Sequence, residues 1–186
     1  MRRLPNLLRD GDGAAAVEMA LVAPLLLALM FGSVELGNLF MDQHALEKQV
    51  RDGARFGARL EVNKDYSCSA DPSTVFQDAD AATQIINVTE KGAVAGAGLP
   101  RWGSGYWART CTGDAQTVTV TVRCVDKDDI DTDSTGKTGV YTSLDGDIPV
   151  VVVSGAVKYR SVLGSLGFPS ANICVRAQSE AAVTGL

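Results

Sequence analysis

Ala14 to Val34 reads AAAVEMALVAPLLLALMFGSV. The run covers about 21 residues, enough to cross a hydrocarbon core of about 30 Å at a helical rise of about 1.5 Å per residue. Glu18 is its single charge, and Pro24 removes one backbone donor, a loss that membrane helices tolerate better than soluble ones. The competing reading is a cleaved signal peptide. Against it, the stretch exceeds the usual apolar region of about 7–15 residues, no A-x-A site closes it, and an acid near its start is out of place. A single N-terminal transmembrane helix is therefore the expected organising element.

The residues on either side set its direction. Before the run stands MRRLPNLLRDGDG, with Arg2, Arg3 and Arg9, which the positive-inside rule puts in the cytoplasm. Lys48 and Arg51 follow the run, so the cysteines carry part of the argument. Cys68, Cys111, Cys124 and Cys174 all lie beyond the apolar segment, and no CxxC spacing exists. An even count on the far side of a membrane suits disulfides in an oxidising compartment better than zinc or a redox motif; four unpaired thiols are the alternative. Cys68 and Cys111 flank one segment, while Cys124 ends one strand candidate and Cys174 begins another. The expected pairing is Cys68–Cys111 with Cys124–Cys174, although Cys174 shares strand parity with Arg176, Gln178 and Glu180 rather than with apolar residues.

Glu18 needs its own account. A carboxylate costs about 2.5–3.5 kcal/mol at the centre of a membrane helix, and less near the cytoplasmic end where Glu18 stands. It is either a tolerated interfacial acid or a charge awaiting a cationic partner.

Gly13-Ala14-Ala15-Ala16-Val17-Glu18 resembles the processing site of type IV pilin-like proteins. The longer stretch GAAAVEMALVAPLLLALMFGSVELGNLF more closely resembles the N-terminus of TadE/TadF-like minor pseudopilins of the tight-adherence (Tad, Flp-type) pilus system. Pro24 and Glu35-Leu36-Gly37 fit that pattern; Met19 stands where an aromatic residue commonly follows the glutamate. The resemblance covers residues 11–60, with a weaker likeness in the C-terminal strand–connection–strand and none in the middle.

The resemblance implies cleavage between Gly13 and Ala14 by a prepilin peptidase. Glu18 would become the fifth residue of the mature chain and neutralise the N-terminal amine of a neighbouring subunit. Two buried opposite charges compensate each other's desolvation, whereas either alone is penalised. The implied role is structural: initiating or supporting pilus assembly, with no catalysis and no cofactor. The implied partners are the prepilin peptidase, other pilin-like subunits, the inner-membrane assembly platform and the lipid bilayer. The implied location is the bacterial inner membrane, single-pass, with the C-terminal domain extracytoplasmic or carried into the pilus.

Beyond the membrane the helix is expected to continue to about Leu60, with a packing stripe of Leu36, Leu39, Leu46, Val50, Gly53, Gly57 and Leu60. The G-x-x-x-G at Gly53 and Gly57 lies outside the bilayer, so close contact with an ectodomain sheet is the expected use. Asp71-Pro72 reads as the start of a second helix, with Val75, Phe76, Ala79, Ala82, Ile85 and Ile86 on its apolar face and Gly92 closing it. Thr117–Val125, Asp147–Val157 and Ile173–Val183 read as strands. The fold class is α+β: a long N-terminal transmembrane helix, a second helix and a small antiparallel sheet, pilin-like in outline. The expected divisions are a leader at 1–13, the span at 14–34, a helical continuation at 35–60 and the ectodomain at 61–186.

Composition excludes several functions. A net charge of −5 offers no basic surface for nucleic acid. One histidine, His44, leaves no histidine metal site and no serine triad, and Ser104 has no base to serve it. Gly136-Lys137-Thr138 has Asp131 where a P-loop needs glycine. Asp126, Asp128, Asp129, Asp131 and Asp133 form an acidic cluster; Asp129, Asp131 and Asp133 are weak calcium candidates, and no glutamate completes the loop. Asn87-Val88-Thr89 is a glycosylation sequon that means little in a bacterial protein. Two alternatives stand beside the pilus reading: an unprocessed anchored binding module, calcium-dependent or not, and an anchored periplasmic enzyme.

Overall fold

The computed structural model describes residues 11–68, 76, 78–95, 105–114, 116–125, 141, 147–166 and 173–185. Helix α1 runs without interruption over Gly11–Gly57, 47 residues including Pro24. At about 1.5 Å per residue it is about 70 Å long. Its end tightens into i→i−3 bonds, with Arg59 N–H donating to the Phe56 carbonyl at 3.0 Å and Leu60 N–H to Gly57 at 3.1 Å. The helix therefore stops at Gly57, slightly short of Leu60. After the short helix α2 (Val62–Asp65), the Tyr66 hydroxyl donates to the Gly57 carbonyl at 2.8 Å.

The second long helix, α3 (Ala79–Lys91), starts later than the sequence pattern suggests. Asp71-Pro72 lies outside the described residues. Phe76 is not helical: it bridges to Tyr66, with ring centroids 5.7 Å apart. The working N-cap is Asp78, whose carboxylate accepts from Asp80 N–H at 2.9 Å. Gly92 does close the helix, at φ 70°, where a residue without Cβ is unstrained.

Three strands, β1 (Val118–Val125), β2 (Ile148–Lys158) and β3 (Cys174–Ala182), form an antiparallel sheet in the order β1-β2-β3. Period-two alternation puts Val151, Val153, Val157, Val175 and Val183 against the C-terminal half of α1, while β1, with Val118 buried, meets α3. There Leu46, Val50 and Ala54 are fully buried. Gly155 lets the helix approach β2: a Cβ on it would stand 2.8 Å from Leu46 Cδ1 and 2.9 Å from Val50 Cγ2. Gly57 meets Ile85 of α3 and Val151 of β2, and Gly53 meets Thr89 of α3. The G-x-x-x-G therefore serves the second helix as much as the sheet. Leu36 falls off the expected stripe and is exposed. The chain end clips back onto α1, with Thr184 N–H donating to the Ala58 carbonyl at 2.8 Å and Val62 N–H to Gly185 at 3.0 Å.

The disulfide expectation is corrected. The bridges are Cys68–Cys124, with Cα atoms 5.6 Å apart, and Cys111–Cys174, at 6.0 Å. Register explains why Cys124 cannot reach Cys174. Cys124 lies opposite Pro149 and Cys174 opposite Lys158, on different sides of β2 and at opposite ends of it. That separation is about 30 Å along the strand, against a Cα reach of about 4.4–6.8 Å for a disulfide. One bridge closes each end of the sheet.

Candidate functional site

α1 passes through two environments. From Gly13 to Val34 its large side chains, among them Val17, Met19, Leu21, Leu25, Leu29 and Phe31, are exposed on every side. Among the described residues nothing covers this apolar surface, so the segment is suited to lipid. Gly13 and Ala14 sit in the first turns of α1, and Glu18 is exposed on the same bare stretch. A Cβ at Gly13 would meet nothing within 4 Å. These three residues thus share one helical segment that the described residues of the ectodomain leave uncovered.

Where the bare stretch ends, the ectodomain grips the helix. The Glu35 carboxylate accepts from Val162 N–H at 3.1 Å and from Leu163 N–H at 3.3 Å. The Tyr159 hydroxyl donates to the Glu35 backbone carbonyl at 3.2 Å and accepts from the Asn38 amide at 3.0 Å. Tyr159 is buried and follows directly on β2; Ser161 caps the short 3₁₀ turn Leu163–Leu166 by accepting from Gly164 N–H at 2.9 Å. Hydrogen bonding by the Ser161 hydroxyl above all holds the Glu35 carboxyl below its ordinary range; Tyr159 and the N–H groups of Leu163 and Val162 act in the same direction, against desolvation. Gln43 adds a bond from α1 to the Arg176 carbonyl at 3.1 Å. Glu35 entered the sequence reading only as part of a family pattern. An acid directly after an apolar run, one turn from a polar Asn38, was the available signal, and its partners lie more than a hundred residues away.

Higher on α1, the Tyr106 hydroxyl donates to the Asp42 carbonyl at 3.5 Å, while the Arg109 guanidinium lies 4.6 Å from the Tyr106 ring centre. Burial pushes the Asp42 carboxyl up, against the pull of Arg109, and pushes the Tyr106 phenol up to about 12. His44 is exposed, 3.8 Å from the Glu47 carboxylate.

The outer face of the sheet carries an open groove of about 650 Å³, lined by Asp114, Thr119, Ser154, Arg176 and Gln178 among others. Arg176 pairs with Asp114 at 2.8 Å and Arg123 with Glu180 at 3.0 Å. Among the described residues no group of three or more His, Cys, Asp or Glu could hold a metal ion. The calcium candidates Asp129, Asp131 and Asp133 lie outside the described residues, as do Gly136-Lys137-Thr138 and Ser104.

The fold and this site define a class: an α+β domain fastened to one long helix whose N-terminal part is fitted to a membrane. The family model described as TadE-like protein matches residues 13–55, from the glycine before the apolar run to the stretch where α1 meets α3. No curated protein and no solved structure matches the chain. The TadE-like likeness therefore covers the long apolar helix and its continuation, and not the sheet domain that follows.

Proposed function

We propose that this chain is a minor pseudopilin of a Tad/Flp-type pilus, processed between Gly13 and Ala14 and assembled through its N-terminal helix. The observation that carries the reading is the coincidence of the TadE-like match, beginning at residue 13, with a helix segment that is apolar, exposed on all sides and charged only at Glu18. Such a surface asks for lipid first and for other apolar helices second. On this reading the prepilin peptidase acts at the cytoplasmic face of the inner membrane. The Glu18 carboxylate receives the amine of a neighbouring pilin-like subunit, each charge offsetting the other's desolvation. The ectodomain stands outside the cytoplasm, where its disulfides form, and offers its surfaces to sibling subunits and the assembly platform. The divisions at residues 13, 34 and 60 belong to the same proposal.

Mass spectrometry of the membrane-extracted protein tests it. Cleavage removes Arg2, Arg3, Arg9, Asp10 and Asp12, so net charge moves from −5 to −6, and Ala14 becomes the N-terminus. An intact Met1 in cells with an active prepilin peptidase sinks the processing claim. Glu18→Ala should impair assembly while membrane insertion is kept or improved, because a polar group leaves the span.

A further inference from the structure

The ectodomain has two ends, and they differ in chemistry. At the end where β1 stops and β2 starts, the outer face carries Thr121 and the Arg123–Glu180 pair. At the other end, where β2 leads into Tyr159, the surface is apolar and basic. Val162 and Ile173 are 49% and 46% exposed, and Arg160 is exposed with no ion-pair partner among the described residues. Tyr159 N–H donates to the Ile173 carbonyl at 2.8 Å, which holds Ile173 at the same level as Tyr159. Lys158 stands beside them. Of the α1 acids that act on Tyr159, Glu35 already has its carboxylate on Val162 and Leu163 N–H groups, and Asp42 lies further along the helix from the apolar run.

This end meets α1 just past the apolar run. A bilayer of about 40–45 Å with a core of about 30 Å leaves about 5–7 Å of headgroup region on each side. Five residues of helix beyond Val34 span about 7 Å. Glu35 to Leu39 therefore occupy the headgroup layer, and the segment bonded to Glu35 occupies it with them. On the opposite face of α1 at this level, Leu36, Phe40 and Met41 are exposed and apolar.

We infer that Tyr159–Leu163 and Ile173 form a foot that rests in the headgroup layer of the membrane from which α1 emerges. Val162 and Ile173 enter the boundary between headgroups and acyl chains, and Arg160 meets lipid phosphate. The occupant is lipid for two reasons. The exposed apolar Val162 and Ile173 lie level with the end of the apolar span, and Lys158 and Arg160 offer cations to the phosphate that phospholipid headgroups carry. The Glu35 and Tyr159 bonds to α1 fix the foot to the helix, so lipid contact also sets the tilt of the ectodomain. The inference rests on the membrane-anchor reading, though not on processing or on pilus assembly.

The full chain, reconstituted in vesicles of phosphatidylethanolamine and phosphatidylglycerol, is the sample. The photo-crosslinker p-benzoylphenylalanine is placed at Phe31, Val162, Ile173 or Thr121, one position per variant. Variants are scored when both disulfide-linked peptides are present, which shows that the ectodomain has folded. The expected result is lipid adduct at Phe31 and at Val162 or Ile173, with only background at Thr121. Adduct at Phe31 with background at both Val162 and Ile173 overturns the foot while the anchor stands. Crosslinks from Val162 and Ile173 to a second copy in place of lipid overturn it as well. Absence of lipid adduct at Phe31 removes the anchor, and the foot with it.

Discussion

Between Ala14 and Val34, α1 shows apolar side chains in every direction, and no described residue of the ectodomain covers them. Between Ala45 and Arg55, the same helix seals Leu46, Val50 and Ala54 at 0% exposure and turns Lys48, Arg51 and Arg55 outward. The two halves solve different problems. In lipid the backbone must satisfy its own hydrogen bonds, so an all-round apolar run is sufficient and no stripe is needed. In water a helix is held by one packed face, so apolar residues fall at i, i+3 and i+4 and charges fill the rest. One continuous helix thus carries two patterns, and the change between them falls at Glu35 to Leu39, where the ectodomain begins to grip.

The sharpest tests load one half and leave the other alone. The largest effect belongs to the bridges. Cys68→Ser with Cys124→Ser opens a link between residues 56 apart and should cost the ectodomain about 4 kcal/mol in the chain-entropy account, less any strain. Urea denaturation of the reconstituted chain reads the loss, and vesicle flotation should show the anchor unchanged. Non-reducing peptide mapping gives a direct check: a Cys124–Cys174 peptide would break the register described for β1, β2 and β3.

Next comes the buried face. Leu46→Ala should cost about 2–5 kcal/mol, because its contacts with Val50 and Gly155 leave a cavity. Leu27→Ala removes the same atoms from an exposed site and should leave the urea midpoint where it was. Equal shifts for the two would mean that the bare half is packed against something in the folded chain.

This contrast also explains what could be read from sequence. The all-round apolar run and the alternating Val118-Val120-Val122 and Val175-Ala177-Ala181 sets are local patterns, and the span, the strands and the α+β class follow from them. The start of α3 at Asp78 is not legible locally, because it depends on Phe76 leaving the helical pattern to bridge to Tyr66. Disulfide pairing depends on register, which no stretch of sequence carries by itself: nothing near Cys174 says that it faces Lys158 and so lies by Cys111. The grip on Glu35 comes from Tyr159 to Leu163, far along the chain, and is invisible for the same reason.

Glycines give a smaller and more local contrast. A Cβ at Gly53 would overlap the Thr89 side chain, whose hydroxyl donates to the Ile85 carbonyl at 2.8 Å. Gly53→Ala should cost about 1–3 kcal/mol by overpacking. A Cβ at Gly37 would meet nothing within 4 Å, so Gly37→Ala should gain about 0.5–1 kcal/mol of helix stability. The urea midpoints of the two variants should move in opposite directions, and a shared direction would show that α3 does not lean on Gly53.

The smallest effect sits at the junction of the halves. Glu35 is held below its ordinary carboxyl value of 4.5, first by the Ser161 hydroxyl and further by Tyr159 and the Leu163 and Val162 N–H groups. A carboxyl whose folded value is depressed binds its proton less readily folded than unfolded. Its contribution is complete above the unfolded value and is lost as pH falls through the folded value, below 4.5. The charge-assisted bonds at 3.1 and 3.3 Å should therefore hold at neutral pH and loosen in acid. The measurement is amide exchange at Val162 and Leu163 in vesicles of zwitterionic lipid, as protection relative to the intrinsic rate, so that neither the chemistry of exchange nor a charged surface contributes to the trend. Protection should fall below pH 4.5 in the native chain and stay level across that range in Glu35→Gln, which keeps an acceptor oxygen without the titrating charge. Val151 and Val153, deep in β2, should show no such step in either protein, because their protection follows the ectodomain core. A step of equal size at Val151 would mean that acid loosens the whole ectodomain, and the junction would then have no pH response of its own.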